Sequence, residues 1–257
     1  MLLNKKVIVV TGGAGLLGYE LVRAIIKEGG IPIIADLNPT HELKEKVISH
    51  KDSKDKNVQF LELDITSKES INNLIQKVHA THGRIDALIN SAYPRNVNYG
   101  RKFFDVEFED FVENIGLHLG GYFLSSQLFA KYFNQQGSGN IINMSSVYGS
   151  LTPKFEIYSN TTMTNPVEYV AIKSALNQLT RYMAKYFKSM NIRVNSVSPG
   201  GILDGQPQEF LKNYNKFCLS KGMLDSNDVS GAVIFLLSEM SQYINGQNII
   251  IDDGFSL

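Results

Sequence analysis

The feature that most constrains this chain is an alternation. Short β-branched runs recur with longer segments of helical period between them. The strand candidates are 5–11 (KKVIVVT), 31–35 (IPIIA), 58–63 (VQFLEL), 87–90 (ALIN), 140–145 (NIINMS), 192–198 (IRVNSVS) and 248–252 (NIIID). Helical patterns fill 17–29, 40–50, 67–81, 106–134, 167–189 and 226–239. Strands separated by helices pair in parallel, through crossovers that cover both faces of the sheet. The runs VIVV and IPIIA are apolar on both faces, as doubly covered strands must be. The expectation is one α/β domain over residues 1–257, a Rossmann-like doubly wound sheet of seven parallel strands with helices on both faces. The charged tract 50–57 reads as a solvated loop and the Thr-rich tract 159–166 as a polar surface loop.

Composition excludes several classes. Lys and Arg balance Asp and Glu at 25 each, which argues against a partner held by bulk electrostatics, so neither nucleic acid nor a membrane surface is expected. Cys218 is the sole cysteine and reads as packing, so no disulfide forms within the chain and a reducing, cytoplasmic setting is expected. The opening MLLNKKVIVVTGG lacks the long apolar core of a signal peptide. No metal site is expected.

The first strand runs into TGGAGLLG, residues 11–18, which opens a helix. Glycines without Cβ atoms let a pyrophosphate approach the following helix N-terminus. This strand-to-helix context is what gives a glycine-rich turn its meaning, and it nominates Gly12, Gly13, Gly15, Leu17 and Gly18 as cofactor-binding. Asp36 closes the second strand, where a carboxylate holds an adenosine ribose. It accepts both ribose hydroxyls of NAD and repels the 2′-phosphate of NADP. No cation lies in the loop, and none follows Asp36 before Lys44, so NAD is the expected cofactor.

A second constellation lies beyond the middle of the chain. Ser146 ends the fifth strand run, at the edge where open α/β sheets bind ligands. In EYVAIKSALNQLT, Tyr169 and Lys173 share one helix face. A tyrosine must fall from about 10 to about 7 to act as a base at neutral pH, which takes roughly 4 kcal/mol of phenolate stabilisation. A nearby ammonium and an oxidised nicotinamide supply such stabilisation. A serine hydroxyl then holds the substrate oxygen during hydride transfer.

With these parts in order, the sequence resembles the short-chain dehydrogenase/reductase family over its whole length, in the shorter, single-domain branch. The markers are TGGAGLLG, LELD, IDALINSA, NMSS, YVAIK and RVNSVSPGG, with YINGQNIIIDDG as a closing strand. The resemblance implies that Asp64 and Ile65 lie near the adenine and that Asn90, Ser91 and Ala92 run along the cofactor. It implies that Tyr169 and Lys173 hold the nicotinamide ribose as well as catalyse, and that Pro199, Gly200 and Ile202 lie beside the nicotinamide. For Asn90, stabilising the strand end is a compatible reading. The resemblance also implies homodimers or homotetramers, paired through the helices near 106–134 and 167–189. More faintly, the chain resembles oxidoreductases of bacterial surface-sugar and flagellin-modification pathways.

Four departures shape the expectations. Leu16 stands where the shorter branch has a glycine, giving the loop the glycine spacing of the longer epimerase branch. Tyr93 replaces the glycine of the family's N-N-A-G, either stacking against the cleft or simply packing. His118 falls where the family places its proton-relay asparagine: it relays protons, touches substrate, or is a buried structural residue. Tyr169 follows Ser146 by 23 positions instead of about a dozen, which implies an insertion near 149–168 that shapes specificity. Tyr158 sits at the usual spacing, but position 162 is Thr where a lysine would be needed. Substrate-side contacts are also expected from 203–225, and Arg95, Arg101, Lys102 and Lys154 are candidates to meet a phosphate or carboxylate. The leading reading is an NAD-dependent oxidoreductase of a secondary alcohol or ketone, with Ser146, Tyr169, Lys173 and His118 as catalytic candidates and a polar or sugar-derived substrate. The alternatives are an epimerase or dehydratase with tightly held NAD, and a silent NAD-binding sensor or scaffold.

Overall fold

The computed structural model describes residues 1–37 and 58–257. The expected helix at 40–50 and the loop at 50–57 lie outside the described residues. Seven strands form one sheet: β1 (Val7–Thr11), β2 (Ile31–Asp36), β3 (Gln59–Glu62), β4 (Ala87–Asn90), β5 (Gly139–Met144), β6 (Ile192–Pro199) and β7 (Asn248–Ile251). Their order is β3-β2-β1-β4-β5-β6-β7, and every neighbouring pair is parallel. The doubly wound sheet expected from the alternation is therefore present.

The period of two along the central strands sorts side chains between two cores. Val7 and Val9 of β1 point into one core and Ile8 and Val10 into the other. Helices α2 (Lys68–His82), α4 (Gly121–Gln136) and α5 (Val167–Tyr186) cover the first face through Ile71, Phe129 and Ile172. Helices α1 (Leu16–Lys27) and α7 (Ser230–Leu237) cover the second through Leu21 and Val233. Both faces of β1 are consequently buried, which is why its sequence shows no polar alternation.

Two regions differ from the sequence reading. The helical pattern near 106–134 is not one regular helix. Helix α3 (Phe108–Ile115) passes through a single wide π-turn (Gly116–Gly120) into α4, and His118 sits in that turn. Such turns displace side chains from regular helical directions and are frequent at functional sites. The segment 203–225 contains a helix that the pattern did not reveal, α6 (Gln208–Asn215). Phe210 and Tyr214 of α6 join Val147, Tyr148, Ile157, Met223 and Phe255 in a third, smaller core. That core binds the 149–168 segment to the end of the sheet: Ile157 is fully buried, and Lys154 donates to the Phe255 carbonyl at 2.9 Å. Cys218 belongs to the same packing, and burial raises its thiol to about 11, which leaves it a poor nucleophile.

Candidate active site

Strand β1 is flanked by β2 on one side and β4 on the other, so the chain direction of the winding reverses there. Crevices form beyond the carboxyl ends of strands at such switch points. One does here: a cleft of about 1130 Å³ runs from Asp36 and Asp64 past the glycine loop to Tyr169 and the 199–206 turn.

Its nucleotide end is built largely from main chain. Gly12 has φ +64, and a Cβ there would lie 2.6 Å from Ala92 Cα, so the turn closes only on glycine. Thr11 ties that turn to the loop after β4, its Oγ1 accepting from the amides of Ser91 (3.1 Å) and Ala92 (3.2 Å). Sequence reasoning passed over Thr11, although it begins the glycine motif. Helix α1 begins after Gly15, whose own amide donates to the Gly12 carbonyl at 3.0 Å. No side chain among the described residues caps its first turn, where Gly15, Leu16, Leu17 and Gly18 line the cleft. Uncapped amides at a helix start, over a glycine cradle, fit a pyrophosphate. Asp36 lines the cleft and also braces the loop, accepting from Ala14 N at 3.1 Å. Asp64 and Ile65 lie in the same wall, with Asp64 accepting from both the amide and the hydroxyl of Thr66. These residues suit a dinucleotide.

Gly13 and Asn90 do not reach the cleft surface. Gly13 packs against Val10 and Ile34. Asn90 turns its side chain inward: its amide donates to Ser126 Oγ (2.9 Å) on α4 and to Asn143 Oδ1 (2.8 Å) on β5. Asn143 in turn donates to Thr180 on α5 at 2.9 Å. The strand-end role is thus the one its side chain performs, knitting β4 and β5 to both helices.

The other end gathers side chains. Ser146 follows β5 and opens the short turn Val147–Gly149, its Oγ accepting from Tyr148 N at 3.2 Å. A Cβ on Gly149 would lie 2.6 Å from the Lys173 carbonyl, so glycine lets this turn press directly on α5. That contact sets Ser146 beside Tyr169 and Lys173, and all three line the cleft. Lys173 Nζ donates to the Met144 carbonyl at 2.8 Å and lies 5.4 Å from the centre of the Tyr169 ring. Burial brings Lys173 down to about 7. Burial also pushes Tyr169 above the usual tyrosine range; the Ser146 hydroxyl pulls it partly back, while Tyr93 and Tyr158 push it further up. The phenol is therefore neutral near pH 7, and Lys173 does not offset the burial. Tyr158 lines the same cleft, accepting from Asn165 Nδ2 at 3.0 Å, with no lysine one helical turn on.

His118 is 1% exposed and lies behind this group. Its Nε2 is 3.3 Å from Lys173 Nζ, and its Nδ1 has no partner among the described residues. Burial first, then the Lys173 charge, holds the imidazole well below its usual range, so it is neutral and accepts from the ammonium. Tyr93 covers it edge-to-face at 5.2 Å and meets Tyr169 at 5.9 Å. Two of the four departures from the family pattern, Tyr93 and His118, therefore occupy one place. Glu168, beside Tyr169 in sequence, is fully buried with neither carboxylate oxygen partnered among the described residues; no spacing in the sequence signals this.

A glycine cradle, an acidic residue closing β2 and a Ser–Tyr–Lys group on one parallel sheet define the class of nicotinamide-dinucleotide oxidoreductases. A family model described as enoyl-(acyl carrier protein) reductase matches residues 13–256, and the chain belongs to the short-chain dehydrogenase/reductase family. It is 43% identical over 257 residues to post-translational flagellin modification protein A of Campylobacter coli, covering 100% of both chains. It is 30% identical to a 7alpha-hydroxysteroid dehydrogenase of Bacteroides fragilis, covering 99% of this chain and 95% of that one. A solved short-chain dehydrogenase from Leptospira borgpetersenii with bound NAD+ superposes with a TM-score of 0.87 at 30% identity, covering 99% of this chain and 94% of that one. No described helix is long and apolar enough to cross a membrane.

Proposed function

We propose that this chain is an NAD(H)-dependent oxidoreductase that interconverts a secondary alcohol and its ketone, with Tyr169 as the acid–base group. The observation that carries this reading is the meeting of the Ser146 hydroxyl, the Tyr169 phenol and the Lys173 ammonium in the wall of one cleft. When bound, the nicotinamide gives or accepts the hydride, and its oxidised form adds positive charge beside the phenol. Ser146 Oγ accepts from Tyr148 N with one lone pair and bonds the Tyr169 phenol, a position from which its hydroxyl would donate to a substrate oxygen. In reduction the neutral phenol protonates the developing alkoxide; in oxidation the phenolate takes the alcohol proton. Lys173, fixed by Met144 and His118, keeps its remaining proton for the phenolate and the nicotinamide ribose. His118 is thereby a positioning residue, accepting from Lys173.

Gly12, Gly15, Leu17 and Gly18 would hold the pyrophosphate, Asp36 the adenosine ribose, and Asp64 and Ile65 the adenine. Ser91 and Ala92 would follow the cofactor backbone, and Pro199, Gly200 and Ile202 would flank the nicotinamide. Asp36 favours NAD over NADP, and the Leptospira relative's bound NAD+ supports that choice. A polar, sugar-derived substrate suits the polar lining of Tyr158, Asn165 and Gln206, and the Campylobacter coli relative is named for flagellin modification. Assembly as a homodimer or homotetramer is part of the same reading, with sizing chromatography as its check. The function is tested by following NADH absorbance over a panel of secondary alcohols, sugars, sugar acids and sugar phosphates. Turnover with kcat/KM at least about tenfold higher for NAD+ than NADP+ is expected. A preference for NADP+ overturns the reading of Asp36, and silence with both cofactors overturns the enzyme.

A further inference from the structure

Arg95, Arg101, Lys102 and Lys154 looked equivalent in sequence, but the fold separates them. Arg101 donates to Asp110 at 3.2 Å and to Asn98 at 2.9 Å. Lys154 is spent on the Phe255 carbonyl and lies over the Phe217 and Phe255 rings, 4.5 and 4.9 Å from their centres. Lys102 is exposed and outside the cleft wall. Arg95 lines the cleft, and no carboxylate among the described residues pairs with it.

The guanidinium of Arg95, on an exposed side chain, hydrogen-bonds the Tyr93 hydroxyl. It lies 4.9 Å from the centre of the Tyr93 ring. That ring is itself fixed by its edge contacts with Tyr169 and His118 and by a hydroxyl hydrogen bond to Tyr99 at 2.9 Å. The Tyr93 ring thus touches both the Tyr169 ring and a cation that has no carboxylate partner among the described residues. In the same cleft Asn165 keeps its Oδ1 shielded from solvent and unpartnered, an acceptor suited to a substrate hydroxyl. Asp204 also lines the cleft but does not pair with Arg95.

We propose that Arg95 receives an anionic group of the substrate, a carboxylate or a phosphate monoester, so that the enzyme acts on a hydroxylated acid or phosphate ester in preference to a neutral alcohol. This rests on the reading of the cleft as an oxidoreductase site. A planar guanidinium offers two parallel N–H donors to such an oxyanion. With five N–H donors Arg95 can bond Tyr93 and still present that pair, with no ion pair to break among the described residues. The same ring that seals His118 from solvent presents the cation, which gives Tyr93 a function beyond packing.

The test compares glucose, gluconate and glucose 6-phosphate as substrates with NAD+, for the wild type, Arg95→Gln and the control Lys102→Gln. The wild type is expected to favour an anionic substrate, the gluconate and phosphate arms identifying which anion. In Arg95→Gln the ratio of kcat/KM for that anion over glucose falls about 10- to 100-fold, chiefly through KM, and Lys102→Gln keeps the wild-type ratio. An unchanged ratio in Arg95→Gln overturns the proposal. In parallel, gluconate and inorganic phosphate are titrated by calorimetry into the NADH-loaded proteins. Binding of either that weakens at least about tenfold in Arg95→Gln supports the anion site even without turnover, in which case it is the oxidoreductase reading that fails. Absence of Arg95-dependent binding in a protein that does turn over overturns the anion site alone.

Discussion

The two ends of the cleft are made of different material. At the nucleotide end, main-chain geometry does the shaping: Gly12 closes a turn, α1 offers uncapped amides, and Thr11 fastens the loops together. At the substrate end, side chains from distant segments do it. Tyr93, His118, Ser146, Tyr169 and Lys173 come from four separate pieces of the chain and form one cluster, with His118, Ser146 and Lys173 buried and Tyr93 facing solvent. Main-chain sites tolerate variation in side chains, as Leu16 in the glycine loop illustrates. Side-chain clusters carry their own energetic cost. Lys173 is 4% exposed, and its acceptors among the described residues, a carbonyl and an imidazole, carry no charge to offset the desolvation of its own.

That contrast predicts a conflict between stability and function at Lys173. Burial lowers its pKa from 10.5 to about 7, so between those values the unfolded chain binds more protons than the folded one. Stability of the cofactor-free protein therefore rises with pH from about 7 toward 10, and the full burial cost is present below 7. Replacing Lys173 with Met is expected to cut turnover at least about 100-fold. The same change should raise the cofactor-free Tm at pH 7 by about 3 °C or more and remove the rise above pH 7. Thermal melts across pH check the second part, and a lowered Tm with the rise retained would break the comparison.

A smaller effect is expected one residue further in. His118→Phe leaves Lys173 Nζ with the Met144 carbonyl as its acceptor, and kcat should fall about tenfold while the alkaline limb of the pH profile moves. His118→Asn, which restores an acceptor, should recover most of that loss. Equal damage from both variants would mean that the ring's packing under Tyr93 matters more than its nitrogen. The smallest effect belongs to Tyr158→Phe. Its hydroxyl serves Asn165 and Tyr148 at the cleft wall, so kcat should stay within about threefold, with any loss appearing in KM.

The same division decides what could be read from residues alone. The glycine loop, Asp36 and the Tyr169–Lys173 pair were legible because each is a local spacing fixed by strand or helix geometry. The alternation of apolar runs gave the parallel sheet for the same reason. The partners of Asn90 could not be read from spacing, because its inward turn depends on Ser126 and Asn143, which only the packed helices and strands bring near. The joint role of Tyr93 and His118 was hidden because their contact spans a loop and a π-turn, and nothing in GLHLG announces that turn. Helix α6 was missed because its apolar residues face the third core, which forms only once the 149–168 segment folds over the sheet end. The upward push on Tyr169 likewise arises from burial by neighbours remote in sequence.

The central claim is that Tyr169, and not Tyr158 at the customary spacing, moves the proton. It is tested most directly by measuring turnover and NADH binding together in Tyr169→Phe, with binding followed by NADH fluorescence. A fall in kcat of about 1000-fold or more with the NADH dissociation constant within about threefold of wild type is the predicted result. Normal turnover in Tyr169→Phe would contradict it.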